Sequence, residues 1–162
     1  MRTLPTLLFM ITALTAVPAL HAEDTLSDSI TTRTQPLLKA LSMIGTPYKF
    51  GGSDPEKGLD CSGFVKRVYK ETADISLPRS ASEMSKQGEP VAREDLEPGD
   101  LVFFNTRKRD NSHVGIYAGN GEFVHASSSR TKQVTVSSMA QKYWATRFNG
   151  ARRVLPNAPT LR

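Results

Sequence analysis

The stretch Gly58-Leu59-Asp60-Cys61-Ser62-Gly63-Phe64-Val65-Lys66-Arg67-Val68-Tyr69 changes character at Asp60. From there the apolar side chains fall at Cys61, Phe64, Val65, Val68 and Tyr69, the i, i+3, i+4, i+7, i+8 stripe of an amphipathic helix. Asp60 is a favoured N-cap residue, so the helix is predicted to open at Cys61. The thiol therefore lies on the buried stripe and in the first turn, where the helix dipole and backbone N–H groups favour a thiolate and can stabilise an oxyanion. It is the only cysteine in 162 residues. A lone cysteine is also a common buried structural residue, so the helix by itself leaves its role open.

Upstream, Pro47, Gly51, Gly52, Pro55 and Gly58 mark residues 45–58 as a loop able to bring backbone close to a ligand. Residues 36–44 have helical apolar spacing, with Pro36 in the first turn and Gly45 as the stop. Residues 23–35 are polar and read as a flexible leader. Residues 1–22 have the order of a secretory signal: Arg2, an almost uncharged run from Leu4 to Ala19, then Ala22 before Glu23-Asp24. Export with cleavage near residue 22 is expected, to a periplasmic, soluble form. No cysteine lies near that point to accept a lipid, and the mature chain is expected to have no transmembrane segment. The roughly 140 residues that follow suffice for one domain, expected at 36–155 with a tail at 156–162. The formal charge of +5 is mild. It suits an acidic polymer or membrane surface without identifying one; no nucleic-acid partner and no cofactor are expected.

Downstream, Ser80-Ala81-Ser82-Glu83 is a capping box that opens a short helix ending at Gly88. Beyond Pro98-Gly99-Asp100 the period changes, and strands are predicted at 101–104, 114–117, 122–126, 134–136 and 151–155, with a short helix near 139–144. Helices first and antiparallel strands afterwards give an α+β fold.

Two histidines, His113 and His125, flank Gly119-Asn120-Gly121. The apolar residues of the two flanking strands, Val114, Ile116, Ala118, Val124 and Ala126, are all even-numbered, so pairing must set even against even. A three-residue loop with Gly121 left-handed in a bulge, pairing 118 with 122, does this. In that register His113 and His125 are diagonal neighbours about 7–8 Å apart on the opposite face. Both rings are expected to leave that face toward the Cys61 helix.

One cysteine with two histidines has the ligand number of a catalytic zinc site, but no C-x-x-C or H-E-x-x-H cluster accompanies them, and no metal is expected. A papain-like arrangement of thiol, imidazole and orienting group accounts for more of the pattern. Gly45-Thr46-Pro47-Tyr48-Lys49-Phe50-Gly51-Gly52, Asp60-Cys61-Ser62-Gly63-Phe64, Leu77-Pro78-Arg79-Ser80, Pro98-Gly99-Asp100-Leu101, His113-Val114-Gly115-Ile116-Tyr117 and Phe123-Val124-His125-Ala126-Ser127, in that order, resemble the NlpC family of bacterial cell-wall cysteine peptidases. The ending, Tyr143-Trp144 and Ala151-Arg152-Arg153-Val154-Leu155, is most similar to the murein endopeptidases of that family.

The resemblance implies a papain-like α+β fold and a peptidoglycan (murein) hydrolase that cuts stem-peptide amides. It implies Cys61 as nucleophile, His113 as general base and then acid, and His125 as the group orienting His113. Tyr48 corresponds to a tyrosine near the thiol, assigned to the oxyanion or else to loop packing. Ser62 either shapes the pocket or is a first-turn residue; Arg79 either meets a substrate carboxylate or is solvated ahead of the helix cap. The bond implied is the D-alanine–diaminopimelate cross-link, with the γ-D-glutamyl–diaminopimelate bond as the alternative. A non-catalytic wall-binding module is a further reading.

Overall fold

The computed structural model describes residues 34–106, 108–129 and 131–155. The expected signal segment, nearly all of the leader and the C-terminal tail lie outside them. Helix α1 covers residues 34–42 and turns out at Gly45, whose φ is +91°. Two short strands, β1 (Ser53–Asp54) and β2 (Gly58–Leu59), form a small hairpin inside the stretch read as a loop. Helix α2 is Cys61–Ala73, followed by α3 (Ala81–Met84), β3 (Glu89–Val91) and a 3₁₀ turn at Arg93–Asp95. Then come β4 (Leu101–Phe104), β5 (His113–Gly119), β6 (Glu122–Ala126), β7 (Val134–Ser138), α4 (Lys142–Ala145) and β8 (Phe148–Arg153). The last six strands form one antiparallel sheet in the order β3-β8-β4-β5-β6-β7. The α+β class is as expected. Among the described residues no helix is long and apolar enough to cross a membrane.

Helix α2 starts where the sequence predicts: the Asp60 side chain accepts from Gly63 N–H, and Asp60 has extended backbone. Phe64, Val65, Val68 and Tyr69 are fully buried. Each large apolar side chain contributes about 1.5–3 kcal/mol on leaving water, whereas a cap contributes about 1 kcal/mol. Packing therefore holds the helix, and the cap fixes its first residue. The stripe meets Leu101, Phe103, Val114, Ile116, Val124 and Ala126 on one face of the sheet.

The other face is also closed. Val102, Phe104, Phe123 and Ala151 form a second cluster there with Met139 and Trp144. By strand alternation His113 and His125 belong to this second face. The rings do share a face, as the parity argument requires, but it is the face away from α2, which corrects the expected direction. The even side chains fill the α2 side, leaving the odd positions to the aromatic side.

The hairpin keeps the expected parity by another device. Asn120 and Gly121 both have positive φ, +53° and +74°, as a two-residue type I′ turn needs. Gly119 pairs with Glu122, and the register then shifts between Tyr117 and Gly119 so that Ile116 faces Val124. The bulge lies in β5 at Ala118 rather than in a three-residue loop. A type I′ turn matches the strand twist, and one extra residue restores even against even.

Differences also occur at β3, α3 and β8. Strand β3 contains Pro90 and is too short to show a period; it sits at the sheet edge, where a missing N–H is tolerated. Helix α3 ends at Met84, before Gly88. Strand β8 runs from Phe148 to Arg153 rather than over 151–155, with Asn149-Gly150 inside the strand beside a register shift against β4.

Gly115 keeps room on the histidine face. A Cβ there would lie 2.6 Å from Phe123 Cδ2, 2.9 Å from the Val124 carbonyl oxygen and 3.2 Å from His125 Cβ. Gly115→Ala is expected to lower the unfolding free energy by about 1–3 kcal/mol through overpacking, measured by urea denaturation. An unchanged midpoint would show that this face is loosely filled.

Candidate active site

Cys61 is the first residue of α2 and His113 the first of β5. Both line one cleft of about 720 Å³, a size suited to a segment of peptide. Tyr48, Ser62 and Arg79 also line it, so the cleft gathers every candidate from the sequence except His125, which is bonded to His113. Cys61 is partly buried against the main core.

Behind His113 runs a line of polar groups across three strands. His113 Nε2 is 2.9 Å from His125 Nδ1, and His125 Nε2 is 2.9 Å from Ser137 Oγ. His113, on β5, and Ser137, on β7, are diagonal to His125, on β6. Trp144 stacks on His113 with ring centroids 5.3 Å apart, and its edge meets His125 at 5.0 Å. His125 is 1 % exposed. That burial, reinforced by the charge of His113, pushes its pKa well below the ordinary histidine value, so it stays neutral. Both ring nitrogens of His125 are thus engaged by side chains inside the protein.

Ser137 was not singled out in the sequence, although the register that places His113 diagonal to His125 reaches it when extended one strand further. Asp60 is likewise more than a cap. Its Oδ1 accepts from Gly63 N–H (2.7 Å) and Ser62 Oγ (3.3 Å), and its Oδ2 from Gly51 N–H (3.1 Å). The carboxylate thus joins the loop before α2 to the helix start. Gly63 permits the approach: a Cβ there would fall 2.2 Å from the Gly52 carbonyl oxygen.

Arg79 stands at the cleft with its side chain 41 % exposed, and its guanidinium turns back to the helix start. Nη1 donates to Asp60 Oδ1 (2.9 Å) and Ser62 Oγ (2.9 Å), and Nη2 to Asp60 Oδ2 (2.8 Å) and the Gly52 carbonyl (3.2 Å). Those four bonds use every N–H of the guanidinium fork except the one on Nε, so no bidentate face remains for a substrate carboxylate. Ser62, 5 % exposed, turns its hydroxyl to Asp60 and Arg79. Tyr48 forms a parallel bridge to Leu59 and its N–H donates to the Lys132 carbonyl, which fixes its backbone beside the strand leading to α2, and the residue lines the cleft with Cys61.

Comparison with known proteins places the chain in a family. Residues 45–153 match the NlpC/P60 family. The chain is 50 % identical over 111 residues to the murein DD-endopeptidase MepS/murein LD-carboxypeptidase of Escherichia coli K12, covering 68 % of this chain and 57 % of that one. It is 47 % identical over 116 residues to the gamma-DL-glutamyl hydrolase of Bacillus subtilis 168, covering 71 % of this chain and 28 % of that one. Less than two thirds of either relative's length is therefore spanned. Among solved structures, an NlpC/P60 family protein from Bacillus cereus ATCC 10987 superposes with a TM-score of 0.70 at 31 % identity, covering 76 % of this chain and 40 % of that one. The chain belongs to the NlpC/P60 family.

Proposed function

We propose that this protein is an exported cysteine endopeptidase that cuts stem-peptide amides of peptidoglycan, with Cys61 as nucleophile, His113 as base and acid, and His125 as the group that orients His113. The observation that carries the reading is the opening of one cleft on both a helix-start thiol and an imidazole backed by a polar relay. The Cys61 thiolate attacks the amide carbon, and the Cys61 N–H and the Tyr48 hydroxyl receive the oxyanion. His113 then protonates the leaving amine as the C–N bond breaks, which leaves a thioester. Water, deprotonated by His113, opens the thioester and returns the thiol. The order of charge and apolar residues over 1–22 supports export.

The relay suits that proton traffic. When His113 is an imidazolium its Nε2–H has to donate, so His125 Nδ1 accepts and His125 carries its proton on Nε2, facing Ser137 Oγ. A neutral His125 meets this requirement; a charged one does not.

The D-alanine–diaminopimelate cross-link is the proposed bond, supported by the 50 % identity to a murein DD-endopeptidase. The 47 % identity to a gamma-DL-glutamyl hydrolase keeps the γ-D-glutamyl–diaminopimelate bond as the second reading. Digestion of purified sacculi, with mass spectrometry of the new termini, decides between them. Cys61→Ala should release nothing while remaining folded by circular dichroism. A thiol alkylator should end wild-type activity and a chelator leave it unchanged. Full turnover by Cys61→Ala, or binding to sacculi without any cleavage by the wild type, would overturn the reading.

The two histidines should separate kinetically. His113→Ala is expected to reduce kcat/KM about 10³-fold or more, because one proton passes through it in each half-reaction. His125→Asn and His125→Gln should keep measurable activity, since another polar group can hold the ring, and His125→Ala should keep less. Equal losses at both positions would refute the division of roles.

His125 also links stability to acidity. In the unfolded chain it takes up a proton near pH 6.5, whereas the folded protein resists protonation until lower pH, so protons favour unfolding. Its contribution is complete above about pH 6.5 and is lost as pH falls toward its lowered folded value. Urea midpoints compared at about pH 7.5 and pH 5 should therefore drop for the wild type and change less for His125→Gln.

A further inference from the structure

Asp60 creates an electrostatic difficulty for its neighbour. Its carboxylate caps α2 and anchors Gly51, yet it stands next in sequence to a thiol that has to ionise. Like charge at that spacing disfavours a thiolate and works against the helix dipole. The other titratable or charged side chains lining the cleft around Cys61 are Tyr48, His113, Arg79, and Arg109 and Asp110 from the loop after β4. Of the cations, Arg79 is the one bonded to Asp60. It does so through both terminal nitrogens, with the Asp60 side chain 14 % exposed. The Asp60 hydrogen bonds raise the Arg79 pKa and burial opposes them; attraction to Asp60 and then to Cys61 adds to the rise.

We infer that Arg79 is a positioning residue that cancels the Asp60 charge beside the Cys61 thiolate while locking the cap, so α2 keeps a carboxylate cap without suppressing its nucleophile. The inference rests on Cys61 being the nucleophile proposed above. It replaces substrate binding as the role of Arg79: the fork is spent on Asp60, Ser62 and Gly52 and acts on the reaction only through Cys61. Lysine would supply the charge without the two-pronged geometry.

The test reads the thiol directly. Cys61 is the only cysteine of the chain, so the pH dependence of iodoacetamide alkylation reports its ionisation without peptidoglycan, whether or not the protein cleaves stem peptides. The apparent value read from the alkylation profile is what is compared. Arg79→Gln should raise that value by about one pH unit, and Arg79→Lys should recover part of the rise. The decisive variant is the double, Asp60→Asn with Arg79→Gln. Asparagine keeps a capping oxygen and removes the charge, so the apparent pKa should return toward wild type although both partners are gone. A purely structural bracket predicts the double variant to be as impaired as the single, or more so. That result, or an unmoved pKa in Arg79→Gln, would overturn the inference. If thermal unfolding shows Arg79→Gln to be unfolded, Asp60→Asn alone decides: it leaves the arginine charge unopposed beside the thiol. A lower pKa supports the inference, and an equal or higher one refutes it.

Discussion

The Asp60 carboxylate receives five hydrogen bonds: from Gly63 N–H and Ser62 Oγ inside its own helix, from Gly51 N–H in the preceding loop, and from both terminal nitrogens of Arg79. The helix start, the loop 9 residues before Asp60 and the segment 19 residues after it are thereby fixed at the point where the thiol stands. The hydrophobic stripe of α2 sets how firmly the helix sits on the sheet, but a stripe is indifferent to a shift of a residue or so at the helix end. Fixing where Cys61 lies relative to the loop carrying Tyr48 needs directional bonds, and this carboxylate supplies them. The close approach at Gly63 follows from the same requirement, since a side chain there would push the Gly52 carbonyl, and the loop with it, off the helix start.

The sheet supplies the second half of the site by a different logic. Its two faces bury different sets, aliphatic side chains under α2 and aromatic rings with Trp144 on the other side. Side chains at odd positions on β5, β6 and β7 share that aromatic face, and the diagonal stagger of adjacent strands lines up His113, His125 and Ser137. Only His113, at the end of its strand, reaches the cleft. Register is thus the physical quantity on which the relay depends, and the Ala118 bulge is what reconciles that register with a type I′ turn.

Much of this was legible in the chain because it depends on period and parity. The helix from Cys61, its Asp60 cap, strands β4 and β6 and the shared face of the histidines all follow from spacing. What spacing misses is of two kinds. Even-with-even pairing is a global demand that a loop or a bulge can satisfy equally, so the sequence argument recovered the demand and not the device. Long-range polar pairing is the other kind. Nothing local to Arg79, 19 residues from Asp60, indicates that its fork turns back to the helix cap. Similarly, the direction of the histidine face could not be known without seeing that both faces of the sheet are covered, because alternation says which residues travel together and not which neighbour awaits them.

The chemistry of the relay then depends on the core rather than on the cleft. Phe123 and Trp144 close over His125 with ring centroids 4.8 Å and 5.0 Å away, which excludes water from an imidazole that would otherwise titrate near neutrality. Dryness keeps it uncharged, and an uncharged ring has one acceptor and one donor nitrogen. Ser137 can serve as acceptor at one end, which leaves the other nitrogen to receive the proton-bearing edge of His113. A second imidazole can therefore occupy the orienting position without competing for the proton, on the condition that its surroundings are more apolar than those of the first. The aromatic packing on the far side of the sheet meets that condition, and it links the filling of a hydrophobic face to the proton path proposed for His113 and Cys61.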